Sequence, residues 1–217
     1  MCSRYFLDAD GNVISYTFHV PVHDRIGKRY NIAPTQEAPV VRAAVGGGRE
    51  VAMLRWGLVP YWAKDLKIGT KMINARSETV EEKPSFRNAF RRRRCIVPAT
   101  GFFEWRGDPG KKQPFAITAA DQPLFAFAGL WESWKPKDGD TVETFTILTT
   151  GANPTVAAIH DRMPVILPEA DREAWLTAPA EVARALMKPY AGPIVTRAVR
   201  KLVGNPRNDV PEVLEDA

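Results

Sequence analysis

Apolar positions in this chain recur mostly at a period of two, in short runs rich in Val, Ile, Phe and Thr that Gly, Pro and Asp interrupt. That pattern predicts strands joined by turns. Residues 40–45, 51–59, 96–105, 114–118, 124–134 and 144–150 read as strands, with 165–167 a further short candidate, and Gly46-Gly47-Gly48 joins the first two as a hairpin. Upstream, Asp10-Gly11-Asn12 is a turn signal, 13–22 alternates loosely, and Asn31-Ile32-Ala33-Pro34-Thr35 reads as an ordered loop. Helical spacing occurs only in pieces. Ser77-Glu78-Thr79 and Ser85-Phe86-Arg87 look like helix starts separated by Pro84, the second setting Phe86 and Phe90 on one face. Asn153-Pro154 is an N-cap followed by proline at the first helical position, opening a short helix whose end carries His160. Residues 169–176 and 181–187 read as short amphipathic helices, and the polar tail from Asn205 as peripheral. No repeat or linker divides the chain, so one domain over 1–217 is expected, of α+β class with a β-rich core.

Composition narrows the class. The chain has 217 residues, 45% of them hydrophobic, enough for a full core. No apolar run reaches membrane-spanning length, and Met1-Cys2-Ser3-Arg4 lacks a signal peptide's hydrophobic segment, which points to a cytoplasmic protein with no membrane partner. Two cysteines and three histidines, with no Cys-x-x-Cys, argue against a structural zinc site. Cys95, in the apolar run Cys95-Ile96-Val97-Pro98, reads as a small buried hydrophobe. A net charge of +5 favours an anionic partner such as nucleic acid. Arg91 to Arg94, at a predicted helix end, read as a solvated face or as phosphate contacts.

Candidate chemistry begins at Cys2. If Met1 is removed, this residue carries a thiol and a free α-amine on one carbon skeleton, a 1,2-aminothiol able to close on an aldehyde as a thiazolidine. The amine's reference pKa of about 7.7–8.0 and the thiol's of about 8.5 leave useful neutral amine and thiolate near neutrality. A frayed terminus is the plainer alternative. Glu104 lies between Phe103 and Trp105 in a strand-like run, either on a solvated face or in a pocket where desolvation would raise its pKa. His160, in Ile159-His160-Asp161-Arg162-Met163-Pro164, and Asn74, in Ile73-Asn74-Ala75-Arg76, are each by themselves as consistent with capping or core roles as with catalysis.

Taken together, six segments carry a resemblance. They are Met1-Cys2-x-Arg4-Tyr5, Tyr30-Asn31-Ile32-Ala33-Pro34-Thr35, Arg55-Trp56-Gly57-Leu58-Val59-Pro60, Asn74-Ala75-Arg76-x-Glu78-Thr79, the run from Arg94 to Trp105, and His160-Asp161-Arg162-Met163-Pro164. In this order, over nearly the whole chain, the sequence resembles the SRAP family, the SOS-response-associated peptidase or abasic-site processing proteins. Ser3 departs from the family's usual glycine and could crowd Cys2; Phe103 replaces a common tyrosine. The resemblance implies a barrel-like, mainly antiparallel core with short peripheral helices, acting as a monomer without metal or cofactor. It further implies that mature Cys2 crosslinks to an abasic site in single-stranded DNA, with Glu104 and His160 moving protons and Asn74 orienting the amine and sugar. By family position Arg4, Arg76, Thr149 and Arg162 would hold phosphates, while Trp62 and Trp105 would stack on bases. Two other functions use the same residues: a thiol peptidase built on Cys2, His160 and Asn74, and a non-catalytic single-strand binder.

Overall fold

The computed structural model describes residues 2–217. In chain order its elements are β1 (Tyr5–Leu7), α1 (Gly11–Phe18), β2 (Arg29–Ile32), β3 (Glu37–Ala43), β4 (Arg49–Trp56), β5 (Asn74–Arg76), α2 (Arg87–Arg92), β6 (Arg94–Ala99), β7 (Gly101–Arg106), β8 (Gln113–Ala119), β9 (Phe125–Trp134), β10 (Val142–Gly151), α3 (Pro154–Ala157), β11 (Arg162–Pro164), α4 (Arg172–Thr177), α5 (Ala180–Leu186) and β12 (Ile194–Ala198). Strands β10, β4, β3, β6 and β9 pair in that order, and β9 pairs again with β10, so the five close into a barrel. Every pairing in the ring is antiparallel except β10 with β4, which is parallel. Closure leaves the ring no open edge, the feature that otherwise exposes unpaired backbone groups. Its aromatic packing runs from Tyr5 to Trp56 (5.2 Å between ring centroids) and on to Phe145 (6.2 Å). Each such ring, fully buried, contributes about 1.5–3 kcal/mol by burial.

A second sheet, in the order β12-β8-β7-β1-β2, is antiparallel throughout. It is joined to the barrel at Thr100, so the run 96–105, continuous in its alternation, is two strands in two sheets. The Thr100 N–H bonds the Phe6 carbonyl at 2.8 Å, and the Thr100 hydroxyl accepts the Asp8 N–H at 2.9 Å. Gly101 is required at this corner, because a Cβ there would lie 2.5 Å from the Ile117 carbonyl oxygen and 2.6 Å from the Phe6 ring.

Several local expectations change. Within 13–22 the loose alternation gives way to helix α1: Asp10 is its N-cap, accepting the Asn12 and Val13 N–H groups, and Ile14 and Phe18 face the core one turn apart. Asn31 and Ile32, expected in a loop, close strand β2. Ser77-Glu78-Thr79 starts only a chain of turns, since Pro84 cannot donate to a continuing helix. Arg94 is no surface arginine. Its guanidinium is buried, donating to the carbonyls of Phe90, Trp175 and Ala178. The extended run at 165–167 bridges only at Ile166, while strand β11 lies just before it. Strand β12 had no clear sequence signal. Finally, the tail is built in: Asp209 accepts the backbone N–H groups of Tyr30 and Asn31, and Val213 is fully buried with Phe6, Phe103 and Val203.

Candidate active site

Strand β10 gathers three of the candidate segments. Its far half is flanked by β5, parallel to it, and by β11, antiparallel, so Asn74 lies opposite Ile147, Arg76 opposite Thr149 and Arg162 opposite Gly151. The N-terminal segment arrives from the other sheet. Strand β1 pairs with β7, and the Arg4 carbonyl accepts the Phe103 N–H at 3.0 Å, which lays Cys2 to Arg4 beside Glu104. From the β10 side, the Asn74 amide donates to the Cys2 carbonyl at 2.7 Å. Asn74 Oδ1 is buried without a partner among the described residues.

Cys2 is fully buried, its Sγ 3.7 Å from the Arg4 carbonyl oxygen. Burial pushes its thiol well above the ordinary range, and the charge of Glu104 pushes it further in the same direction. Glu104 itself is only 3% exposed, and desolvation raises its carboxyl pKa, opposed in part by His160. The pocket placement, rather than the solvated face, is therefore the one adopted. His160 follows the α3 helix, which the Asn153 cap starts by accepting the Val156 N–H at 3.0 Å. Its Nδ1 accepts the Arg162 N–H at 3.0 Å, so the neutral ring carries its proton on Nε2. Asp161, 2.9 Å from the same Nδ1, competes for it only when that nitrogen is protonated.

Glu104, His160, Ser3, Arg4 and Trp105 line one cleft of about 360 Å³. Ser3 is thus at the cleft surface. Phe103 is not: its ring packs on Phe6 at 5.0 Å, so a hydroxyl missing there is missing from the small second core. Arg4 lines the cleft but its guanidinium is spent on Asn31 Oδ1 (2.9 Å) and the carbonyls of Val203 (2.8 Å) and Gly204 (3.3 Å). Arg162 is gripped by both carboxylate oxygens of Glu78 and bonds the Thr149 carbonyl at 2.7 Å. Thr149 is fully buried behind it, whereas Arg76 is exposed and makes no ion pair among the described residues. Trp62 is 47% exposed on a separate loop, anchored where the Trp134 indole donates to Ala63, and does not line this cleft. No cluster of His, Cys, Asp or Glu able to hold a metal occurs among the described residues.

Asn31 was missed by sequence reasoning although its motif was visible. Fully buried, it accepts from Arg4 and donates to the carbonyls of Val203, Asn205 and Asn208, binding the tail to the back of the cleft. An Asn read as a loop residue gave no sign of partners more than 170 positions away.

The chain is 42% identical to the abasic site processing protein YoqW of Bacillus subtilis, covering 99% of each. It is 33% identical to the abasic site processing protein HMCES of Xenopus tropicalis, covering 88% of this chain and 67% of that one. A solved structure from Bacteroides thetaiotaomicron superposes with a TM-score of 0.88 at 29% identity over the full length of both chains. Residues 1–206 match the model of the SOS response associated peptidase family, so with these likenesses the chain belongs to the SRAP family.

Proposed function

We propose that this protein processes abasic sites in single-stranded DNA by covalent capture through Cys2, after removal of Met1 has freed its α-amine. The observation that carries the reading is the hold of Asn74 on Cys2 beside a cleft lined by two proton-transfer groups, the buried Glu104 and His160. An abasic deoxyribose is mostly a closed hemiacetal, and a proton must move before its C1′ aldehyde opens. A carboxyl group whose pKa burial raises suits that step, since it keeps its proton to higher pH than a free carboxyl and can give it up and take it back. The Cys2 amine adds to C1′ and water leaves, giving a Schiff base. The thiol then loses its proton, Sγ bonds to C1′, and the imine nitrogen takes a proton, closing the thiazolidine. The net change is protein plus DNA less one water. Arg76 and Arg162 serve as phosphate contacts, Arg162 by exchanging or sharing Glu78, and Trp105 stacks on a neighbouring base. Arg4 and Thr149 act from behind, and Trp62 through its own exposed loop.

Against a peptidase stands the chemistry of the freed terminus: hydrolysis uses a thiol alone, whereas removal of Met1 also frees the α-amine of Cys2, which only capture uses. A single-strand binder without catalysis would keep its properties without the thiol. The test is intact mass after mixing with single-stranded DNA bearing one abasic site. Wild type is expected to gain the oligonucleotide less one water, and Cys2→Ala to form no heat-stable adduct while still binding. A stable adduct from Cys2→Ala at the wild-type rate would overturn the thiazolidine.

A further inference from the structure

The cleft does not end at Trp105. A second groove, about 290 Å³, shares Trp105, Lys112 and Gly204 with it and continues past Gly110 and Pro114 to Lys201. No carboxylate lines this extension. Lys112 and Lys201 are both exposed, and neither is in an ion pair among the described residues. They stand on walls that are already fixed. Lys112 follows the turn between β7 and β8, closed by the pairing of Arg106 with Gln113, and the Gln113 amide donates to the Val199 carbonyl at 2.7 Å, tying that hairpin to the C-terminal segment. Lys201 opens the 3-10 turn Lys201–Gly204, whose carbonyls are held by Arg4 and Asn31. On the β10 side the lining is mixed: a larger cavity of about 570 Å³ is lined by Glu78, Glu81 and Glu82 together with Arg184, which pairs with Glu81, while Arg162 pairs with Glu78. The groove past Trp105 instead carries two lysines and no carboxylate, and so attracts a polyanion leaving the cleft.

We infer that the groove is a nucleotide subsite for one flank of the lesion, in which the strand passes Trp105 and sets its backbone phosphates between Lys112 and Lys201. The inference rests on the proposed single-stranded DNA substrate. An ammonium is a point charge suited to phosphate, and the indole at the junction gives a base a face to stack on. Because the groove leaves the cleft in one direction, its contribution belongs to one side of the lesion only.

The test is equilibrium binding over a salt series in the Cys2→Ala background, where no thiazolidine can form. Three oligonucleotides carry a tetrahydrofuran abasic analogue at the centre, at the 5′ end or at the 3′ end. Each single-strand phosphate contact contributes roughly 0.7 to the slope of log affinity against log salt. The double variant Lys112→Ala/Lys201→Ala is expected to flatten the slope by about 1.4 on the central lesion and on one of the two end lesions, and not on the other. An unchanged slope on all three, or equal flattening on both end lesions, overturns the subsite. With Cys2 restored, the same lysine variant should reach wild-type adduct yield at saturating abasic DNA. Absence of adduct from the wild-type protein would instead overturn the capture chemistry and leave the salt series to decide the groove.

Discussion

Glu104 concentrates the physical conflict in this molecule, since a carboxylate that would be more stable in water is held almost fully buried. Its unfolded pKa is near 4.3 and its folded pKa is higher because burial disfavours the charge. From about pH 4.3 up through the raised value, the folded state holds more proton than the unfolded one, and stability falls as pH rises. Glu104→Gln cannot ionise. Thermal melting across a pH series should therefore show the variant more stable than wild type above that window, with the gap closing toward pH 4. The same variant should form adduct about 100- to 10,000-fold more slowly, the usual contribution of a general acid-base group. A variant that is both faster and less stable at pH 8 would leave Glu104 without its assigned role. The chemical types at Cys2, Asn74, Glu104 and His160 were legible in the chain, but the burial was not. Alternation fits a glutamate on either face of a strand, and only the packing of two sheets decides which face is dry.

Two short strands decide which arginines are free. Arg76 on β5 and Arg162 on β11 flank the same stretch of β10, yet the first is open to solvent and the second is locked to Glu78 and the Thr149 carbonyl. Arg76→Ala should flatten the salt slope of single-strand binding by roughly 0.7 with little change in melting. Arg162→Ala should also lower the melting temperature, because it removes one of the two donors to the Thr149 carbonyl, which keeps the Ser77 N–H, and takes away the partner of Glu78, a loss of about 0.5–1.5 kcal/mol. Salt-series binding and melting on the two variants check both; an unaltered melting point for Arg162→Ala would mean that the ion pair contributes nothing. The barrel strands were legible from period and turns. The corner at Thr100 was not, because alternation carries straight through it, and α1 was not, because its two core residues occupy so short a run that helix and loose strand look alike.

For the molecule as a whole, the stretch after residue 206 is where expectation and structure part most. It lies beyond the residues that match the family model, and polarity alone marked it as peripheral. Asp209 nevertheless satisfies two strand N–H groups, Val213 is fully buried, and Asp216 pairs with Arg197. Deleting 207–217 should cost about 1.5–3 kcal/mol for Val213 and about 1–3 kcal/mol for each orphaned N–H. At roughly 2–4 °C per kcal/mol in a chain of this size, melting should drop on the order of 10 °C. A truncated protein melting within a degree or two of wild type would return the tail to the periphery.

The grip of Arg4 on the carbonyls of Val203 and Gly204 joins positions 199 and 200 residues apart. On a ribosome adding about 5–20 residues per second, that separation is roughly 10–40 seconds of synthesis. Cys2 emerges first, Asn74, Glu104 and His160 arrive in turn, and the wall at 201–204 is made last. An aminothiol freed early in this interval would meet metabolic aldehydes with no cleft to choose among them. On the capture chemistry proposed here, the moment at which Met1 is cleaved thus governs how many newly made molecules reach DNA with their reactive end unspent.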